Sequence, residues 1–261
     1  MATEQQLLEY VLRLADSDLI LAQRLGEWVG HGPVLEEDIA LTNVGLDLLG
    51  QARLWFAYAG EIEARTLQAR PGGAGRGEDE FAFLREGSGF RNLLLTEQPN
   101  GNYADTTARQ FYFDVWHELL LRSLAVSPDP RIAEIAAKAL KEVMYHAERS
   151  ADWVIRLGDG TDLSHARMQS AIDDLWMYTG EMFVSDDIDL ALVADGVAAD
   201  AGALMPAWRD RVAAVLELAT LTMPSATWMQ RGGKQGVHTE HLGHLLAEMQ
   251  SVRRAYPGAQ W

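Results

Sequence analysis

The sequence predicts an all-α chain: two antiparallel helical hairpins joined by a long crossover, with additional helices toward the C-terminus. Three observations carry this. Apolar residues recur at three- and four-residue steps through four long stretches, the period that paints one face of a helix. Clusters of Gly and Pro punctuate those stretches, and no segment shows the two-residue alternation of a strand.

The first helix is expected over residues 3–29, with Leu7, Leu8, Val11, Leu12, Ala15, Leu19, Ala22 and Leu25 on one face. Gly30-His31-Gly32-Pro33 ends it, because glycine accepts a left-handed cap and proline cannot continue the helix. The second runs over about 35–69. Glu36, Glu37 and Asp38 in its first turn complement the helix dipole, and Ile39, Val44, Leu48, Ala52, Trp55 and Ala59 follow. Long helices joined by so short a turn lie antiparallel. The PGGAGRG loop at 71–77, a short turn of helix at 81–85, and the turn Thr96-Glu97-Gln98-Pro99-Asn100-Gly101-Asn102 make up the crossover. A third helix at 103–125 and a fourth at 131–157, separated by Ser127-Pro128-Asp129-Pro130, form the second hairpin. Two hairpins and a long crossover are the connectivity of ferritin-like bundles. Further helices are expected at 164–183, 200–222 and 239–255, with an acidic segment at 186–195. The expected organisation is a single ferritin-like domain over 1–261, with the core bundle at about 3–158 and accessory helices at about 162–256.

Composition narrows the function. Hydrophobic residues are 48% and charged residues 23% of the chain, which excludes wholesale disorder. There is no cysteine, so disulfides and thiolate-held iron–sulfur or zinc sites are excluded. Electrons, if needed, come from another subunit. A formal charge of −16 argues against nucleic acid. Charges recur too often for a membrane span, and the N-terminus lacks a basic start followed by an apolar block, so the expected location is the cytoplasm.

Di-iron carboxylate bundles take one Glu from each of two helices and a Glu-x-x-His from each of the other two. Positions i and i+3 share a helix face, so carboxylate and imidazole enter the core together. In that order the candidates are Asp18, Asp47-x-x-Gly50, Asp114 and Glu142-x-x-Tyr145. Asp18 and Asp47 are 29 apart and Asp114 and Glu142 are 28 apart, as in a duplicated unit. All four acids are expected on otherwise apolar faces, where an unpaired charge is costly. Gly50 and Tyr145 stand where histidines are needed, so the expectation is a vestigial, metal-free polar core. Its acids would pair with Arg53, Arg109, Arg149 or Tyr145.

Other arrangements carry weaker signals. Asp114-x-x-His117, and Glu142 with His146, share helix faces. Asp162-x-x-His165 sits at a helix start, where Asp162 and Ser164 read as caps. His238, His241 and His244, with Glu240 between, could line a surface metal site, but an interface or capping role is favoured. There is no phosphate loop, and Ser88 in Gly87-Ser88-Gly89 lacks the strand of a nucleophile elbow.

Several stretches together resemble the C-type subunit family of phenylacetyl-CoA epoxygenase (ring 1,2-epoxidase), the PaaC type, within the ferritin-like superfamily. They are residues 35–43 (LEEDIALTN) and 45–53 (GLDLLGQAR), Arg91-Asn92-Leu93-Leu94-Leu95 with Glu97-Gln98-Pro99-Asn100-Gly101-Asn102, and Ala136-Ala137-Lys138-Ala139 with Lys141-Glu142 and Tyr145-His146. Gly232-Gly233-Lys234, His238-Thr239-Glu240-His241-Leu242-Gly243 and the terminal Gln260-Trp261 fit as well. The resemblance implies a structural subunit, not itself catalytic. It would pair with a homologous catalytic subunit that holds a di-iron centre, in a heterodimer or higher assembly, and form a homodimer when alone. The complex would insert one oxygen atom of O₂ into the ring of phenylacetyl-CoA in aerobic phenylacetate breakdown. Electrons would come from NADPH through a separate reductase holding FAD and an iron–sulfur cluster. The expected interface is the Glu97–Asn102 turn (Glu97, Asn100, Asn102) and the segment carrying Arg231, Lys234, His238, Glu240 and His241; Arg231 and Lys234 are either solvated loop charges or lie near CoA phosphates or an acidic partner loop. The rivals are a self-sufficient di-iron or di-manganese oxidase built on Asp114, His117, Glu142 and His146, and a metal-free homodimeric scaffold for another client.

Overall fold

A computed structural model describes residues 2–66 and 74–259. Residues 67–69 of the second expected helix, residues 71–73 of the PGGAGRG loop and the Gln260-Trp261 pair lie outside the described residues. The fold is all-α, and no strand occurs among the described residues. Its helices are α1 (Glu4–Gly26), α2 (Leu35–Thr66), α3 (Glu78–Phe83), α4 (Tyr103–Leu124), α5 (Pro130–Gly158), α6 (Asp162–Trp176), α7 (Asp187–Ala194), α8 (Ala201–Leu218), α9 (Glu240–Met249) and α10 (Ser251–Ala255). No helix among the described residues is long and apolar enough to cross a membrane.

The chain divides into two compact units, residues 1–98 with 232–261, and residues 99–231. In the first, Thr3 caps α1 through a reciprocal box with Gln6. Glu4 near the start of α1 pairs with Arg65 near the end of α2, while Leu25 lies under Gly45. As numbering rises in α1 it falls in α2, so the hairpin is antiparallel as expected. Leu48, Ala52, Trp55 and Ala59 of α2 are fully buried. Asp16 of α1 is fully buried and binds the Arg85 guanidinium through both oxygens. Asp16 also accepts from the Arg91 backbone N–H at 2.8 Å, which fixes the chain leaving α3. Arg85 lies 4.3 Å from the Phe90 ring centroid, an apolar lining for a buried cation. The C-terminal helices belong to this unit. Gln250, at the junction where one expected helix divides into α9 and α10, donates to the carbonyls of Ala82 and Arg85 at 3.0 and 3.1 Å.

In the second unit Asn102 caps α4, and Asp129 with Pro130 at the first turn starts α5. Tyr103 meets Trp153 edge-on at 5.2 Å, at opposite ends of their helices, so this hairpin is antiparallel too. α6 is capped by Thr161, whose hydroxyl accepts from Ser164 N–H, so the cap is Thr161 and Ser164 is its partner. Tyr112, Trp176 and Trp208 pack with centroids 5.7–5.9 Å apart. The Trp208 indole donates to the Tyr112 carbonyl at 3.0 Å, and the Tyr112 hydroxyl to the Ile172 carbonyl at 3.1 Å. The acidic segment at 186–195 is α7, with Asp186 as its cap and Asp189 as the reciprocal partner.

Candidate functional site

The residues proposed for a metal cage separate by burial. Asp18 and Asp114 lie inside, at 1% and 0% exposure. Asp47 and Glu142 are only half-buried, Gly50 is exposed, and Tyr145 is 57% exposed. The expectation that all four acids sit on apolar faces is therefore corrected for α2 and α5. One residue along a helix is a turn of about 100°, enough to move a side chain from core to surface. On α2 the inward positions are Val44, Leu48, Gln51 and Trp55, so Asp47 and Gly50 turn out. On α5 they are Val143, His146, Ala147 and Ser150, so Tyr145 turns out.

Each unit keeps a buried polar cluster of its own. In the first, burial holds the Asp18 carboxyl well above the usual carboxylate range, and the Trp55 indole opposes it only in part. In the second, Asp114 on α4 accepts from the Gln110 amide at 2.6 Å and lies within reach of His146 and Ser150 on α5. Burial raises its pKa to about 6, against the pull of His146, Ser150, Gln110 and Arg149. His117, one turn along α4, is pushed down to about 3 by burial and by His146, so it is a neutral imidazole at neutral pH. Of the arginines expected to neutralise the buried acids, Arg53 is bound to Glu78 on the surface, Arg109 donates to Asn100 at 2.7 Å, and Arg149 donates to the Tyr103 hydroxyl at 3.3 Å. Arg149 also draws the Asp114 pKa down.

These donors do not fit a di-iron centre. Such a centre needs paired carboxylates and two imidazoles from inward helix faces, whereas Gly50 has no donor atom and Tyr145 turns outward. Among the described residues no group of three or more His, Cys, Asp or Glu side chains converges as metal ligands.

The second candidate region is also rearranged. Glu97, expected at a partner interface, is fully buried in the first unit. Its Oε1 accepts from the Thr239 N–H at 2.6 Å and the Thr239 hydroxyl at 2.7 Å. Its Oε2 accepts from the Asn92 amide and from His238 Nδ1, each at 2.9 Å, and its carbonyl accepts from Arg24. His238 Nε2 faces the Phe90 carbonyl at 3.1 Å. Both ring nitrogens meet acceptors, and only an imidazolium can donate to both. Burial works against that charge, but the Glu97 carboxylate and the Phe90 carbonyl outweigh it and raise the His238 pKa.

Because Thr239 is the N-cap of α9, His238 precedes the helix and points inward. It cannot form a continuous row with half-buried His241 and exposed His244. Glu240 is exposed in the first turn of α9, and Lys234 is half-buried. In the second unit Asn100 is tied to Arg109 and Thr106, Asn102 serves as the α4 cap, and Arg231 is exposed. Sequence reasoning missed the roles of Asp16, Gln51, Gln110 and Ser150. Gln51 was legible in principle, since it continues the face set by Val44 and Leu48.

A family model described as phenylacetic acid catabolic protein matches residues 1–261. The chain is 52% identical over 257 residues to the C-type subunit of the 1,2-phenylacetyl-CoA epoxidase of Escherichia coli (strain K12), covering 98% of this chain and 99% of that relative.

Proposed function

Since the chain belongs to the family of phenylacetic acid catabolic proteins, we propose that it is the C-type subunit of a 1,2-phenylacetyl-CoA epoxidase and acts there by supporting a homologous catalytic subunit. Full-length similarity to an epoxidase subunit of the C type supports the placement in that complex. One observation carries the non-catalytic role: the two positions where histidines are required hold Gly50 and Tyr145, both turned to the surface. In this reading the di-iron centre resides in the partner, FAD and an iron–sulfur cluster in a separate reductase, and the assembly works in the cytoplasm. Asp18, Asp114 and their neighbours form a vestigial polar core.

Support without chemistry has a definite thermodynamic form. A subunit that binds only the folded, substrate-ready partner stabilises it by about 2.7 kcal/mol at a concentration one hundred times its Kd. Mixing the purified chain with the catalytic subunit tests this. The expected result is a rise in the partner's melting temperature and in its turnover, with no O₂-dependent turnover by this chain alone. Turnover by the isolated chain, or a partner fully active and stable without it, refutes the role.

A further inference from the structure

α2 carries a second apolar face that its own unit does not use. Leu35, Ile39, Thr42, Leu46, Leu49 and Arg53 follow one another at steps of four, three, four, three and four, the spacing of a seam that packs against another helix. Its large apolar members are exposed, Leu35 by 72%, Ile39 by 52%, Leu46 by 60% and Leu49 by 39%. Beside the seam run two depressions of about 210 and 190 Å³ that share Leu19 and Leu49, the first extending to Ala22, Gly26 and Val29. The face is therefore grooved as well as apolar.

Gly50 belongs to the same surface. It lies in the interior of a helix, and a Cβ placed there meets nothing within 4 Å. Glycine at such a position costs about 1 kcal/mol relative to alanine. Nothing within the unit requires that cost, whereas close approach by a second helix does.

We infer that this seam is where an amphipathic helix of the catalytic subunit docks, with apolar side chains at the same three–four spacing and Lys or Arg along its flanks; the identity of the occupant rests on the function proposed above. Charge selects it. Glu36, Glu37 and Asp38 stand at one end of the seam and Asp79 at the other, beside the Arg53–Glu78 ion pair, on a chain of net charge −16. Two copies paired in parallel through this face set the acids at 36–38 against each other, while a basic-flanked helix is attracted to them. Size selects it too. Nineteen residues of α2 at 1.5 Å per residue give a lane about 28 Å long, and a helix is about 11 Å wide. That is roughly 300 Å² per side, against about 800 Å² in an ordinary interface. The occupant is thus one helix of a folded subunit with further contacts, not a free peptide.

The test is binding of the full-length chain to the catalytic subunit, measured by interferometry and sedimentation. Leu46→Glu with Leu49→Glu should weaken binding about 100-fold or more, with helicity and melting temperature unchanged. Leu190→Glu, an equally exposed apolar position on α7, should change binding by less than about threefold. Glu36→Lys with Glu37→Lys leaves the seam intact and should slow association several-fold at low salt. Wild-type binding retained by the Leu46/Leu49 variant overturns this surface while leaving the supporting role in place. Loss of self-association alone in that variant overturns the occupant in favour of a second copy. A wild-type chain that never binds the catalytic subunit overturns both.

Discussion

Replacing Glu97 by Gln removes one charge from the interior of the first unit and changes almost no volume. The carboxylate receives four hydrogen bonds, from Asn92, His238, the Thr239 backbone and the Thr239 hydroxyl. Whichever oxygen becomes the amide nitrogen, that NH₂ faces another donor, and His238 loses its counter-charge. Breaking a buried charge pair costs about 3–5 kcal/mol. For a chain of this size that is a fall of roughly 6–20 °C in melting temperature. Thr239→Ala, which removes only the hydroxyl bond, should cost about 1 kcal/mol. Circular dichroism reads the loss, and hydrogen exchange should show it as lost protection in α9. The His238 pKa is raised above the ordinary 6.5, so the stabilisation it brings is complete below 6.5 and disappears as pH rises through the elevated value. Wild type should lose stability over that interval, and His238→Gln should not. A Glu97→Gln loss below about 1 kcal/mol, or a pH profile that His238→Gln leaves unchanged, refutes the buried clasp.

Three further outcomes follow from individual side chains. Asp114, with a pKa raised from 3.8 to about 6, favours the folded state at low pH and loses that advantage as pH rises through about 6. Urea titrations should show roughly 1–1.5 kcal/mol of stability lost from this group between pH 5 and pH 8, and Asp114→Asn should abolish that loss. Arg85→Met leaves Asp16 buried without its guanidinium partner, and should cost about 3–5 kcal/mol by chemical denaturation. Gly50→Ala should stabilise the isolated chain by about 0.5–1 kcal/mol, whereas Gly101→Ala should destabilise it, because Gly101 has φ +55° and a Cβ there strikes the Asp105 carboxylate.

The four long helices are legible because their signals are local. Apolar spacing in α1 and α2, and Asp129-Pro130 at the start of α5, are written within a few residues of where they act. α7 reads as an acidic segment because acid-rich runs suggest solvent, although Asp186 and Asp189 are its reciprocal cap. The polar core is legible as residue types and not as rotations. Counting Glu142-x-x-Tyr145 in the pattern of a metal bundle puts Tyr145 inside, whereas the apolar neighbours Val143 and Ala147 place His146 there. Glu97 reads as an exposed turn residue because Pro99, Asn100 and Gly101 follow it. Its partner His238 is 141 residues away, and no local pattern announces a pairing at that distance.

Iron content is the most direct measure of whether this chain supports a catalytic subunit or is one. The chain should be purified from iron-replete cells alone and again as a complex with the catalytic subunit, and both assayed by mass spectrometry. The inward faces of α2 and α5 supply no histidine at the motif positions, so the isolated chain should hold well under ~0.1 iron, and the complex about two per pair. About two irons in the isolated chain, displaced by Asp114→Ala or His146→Ala, would contradict the supporting role and make this chain the site of the chemistry.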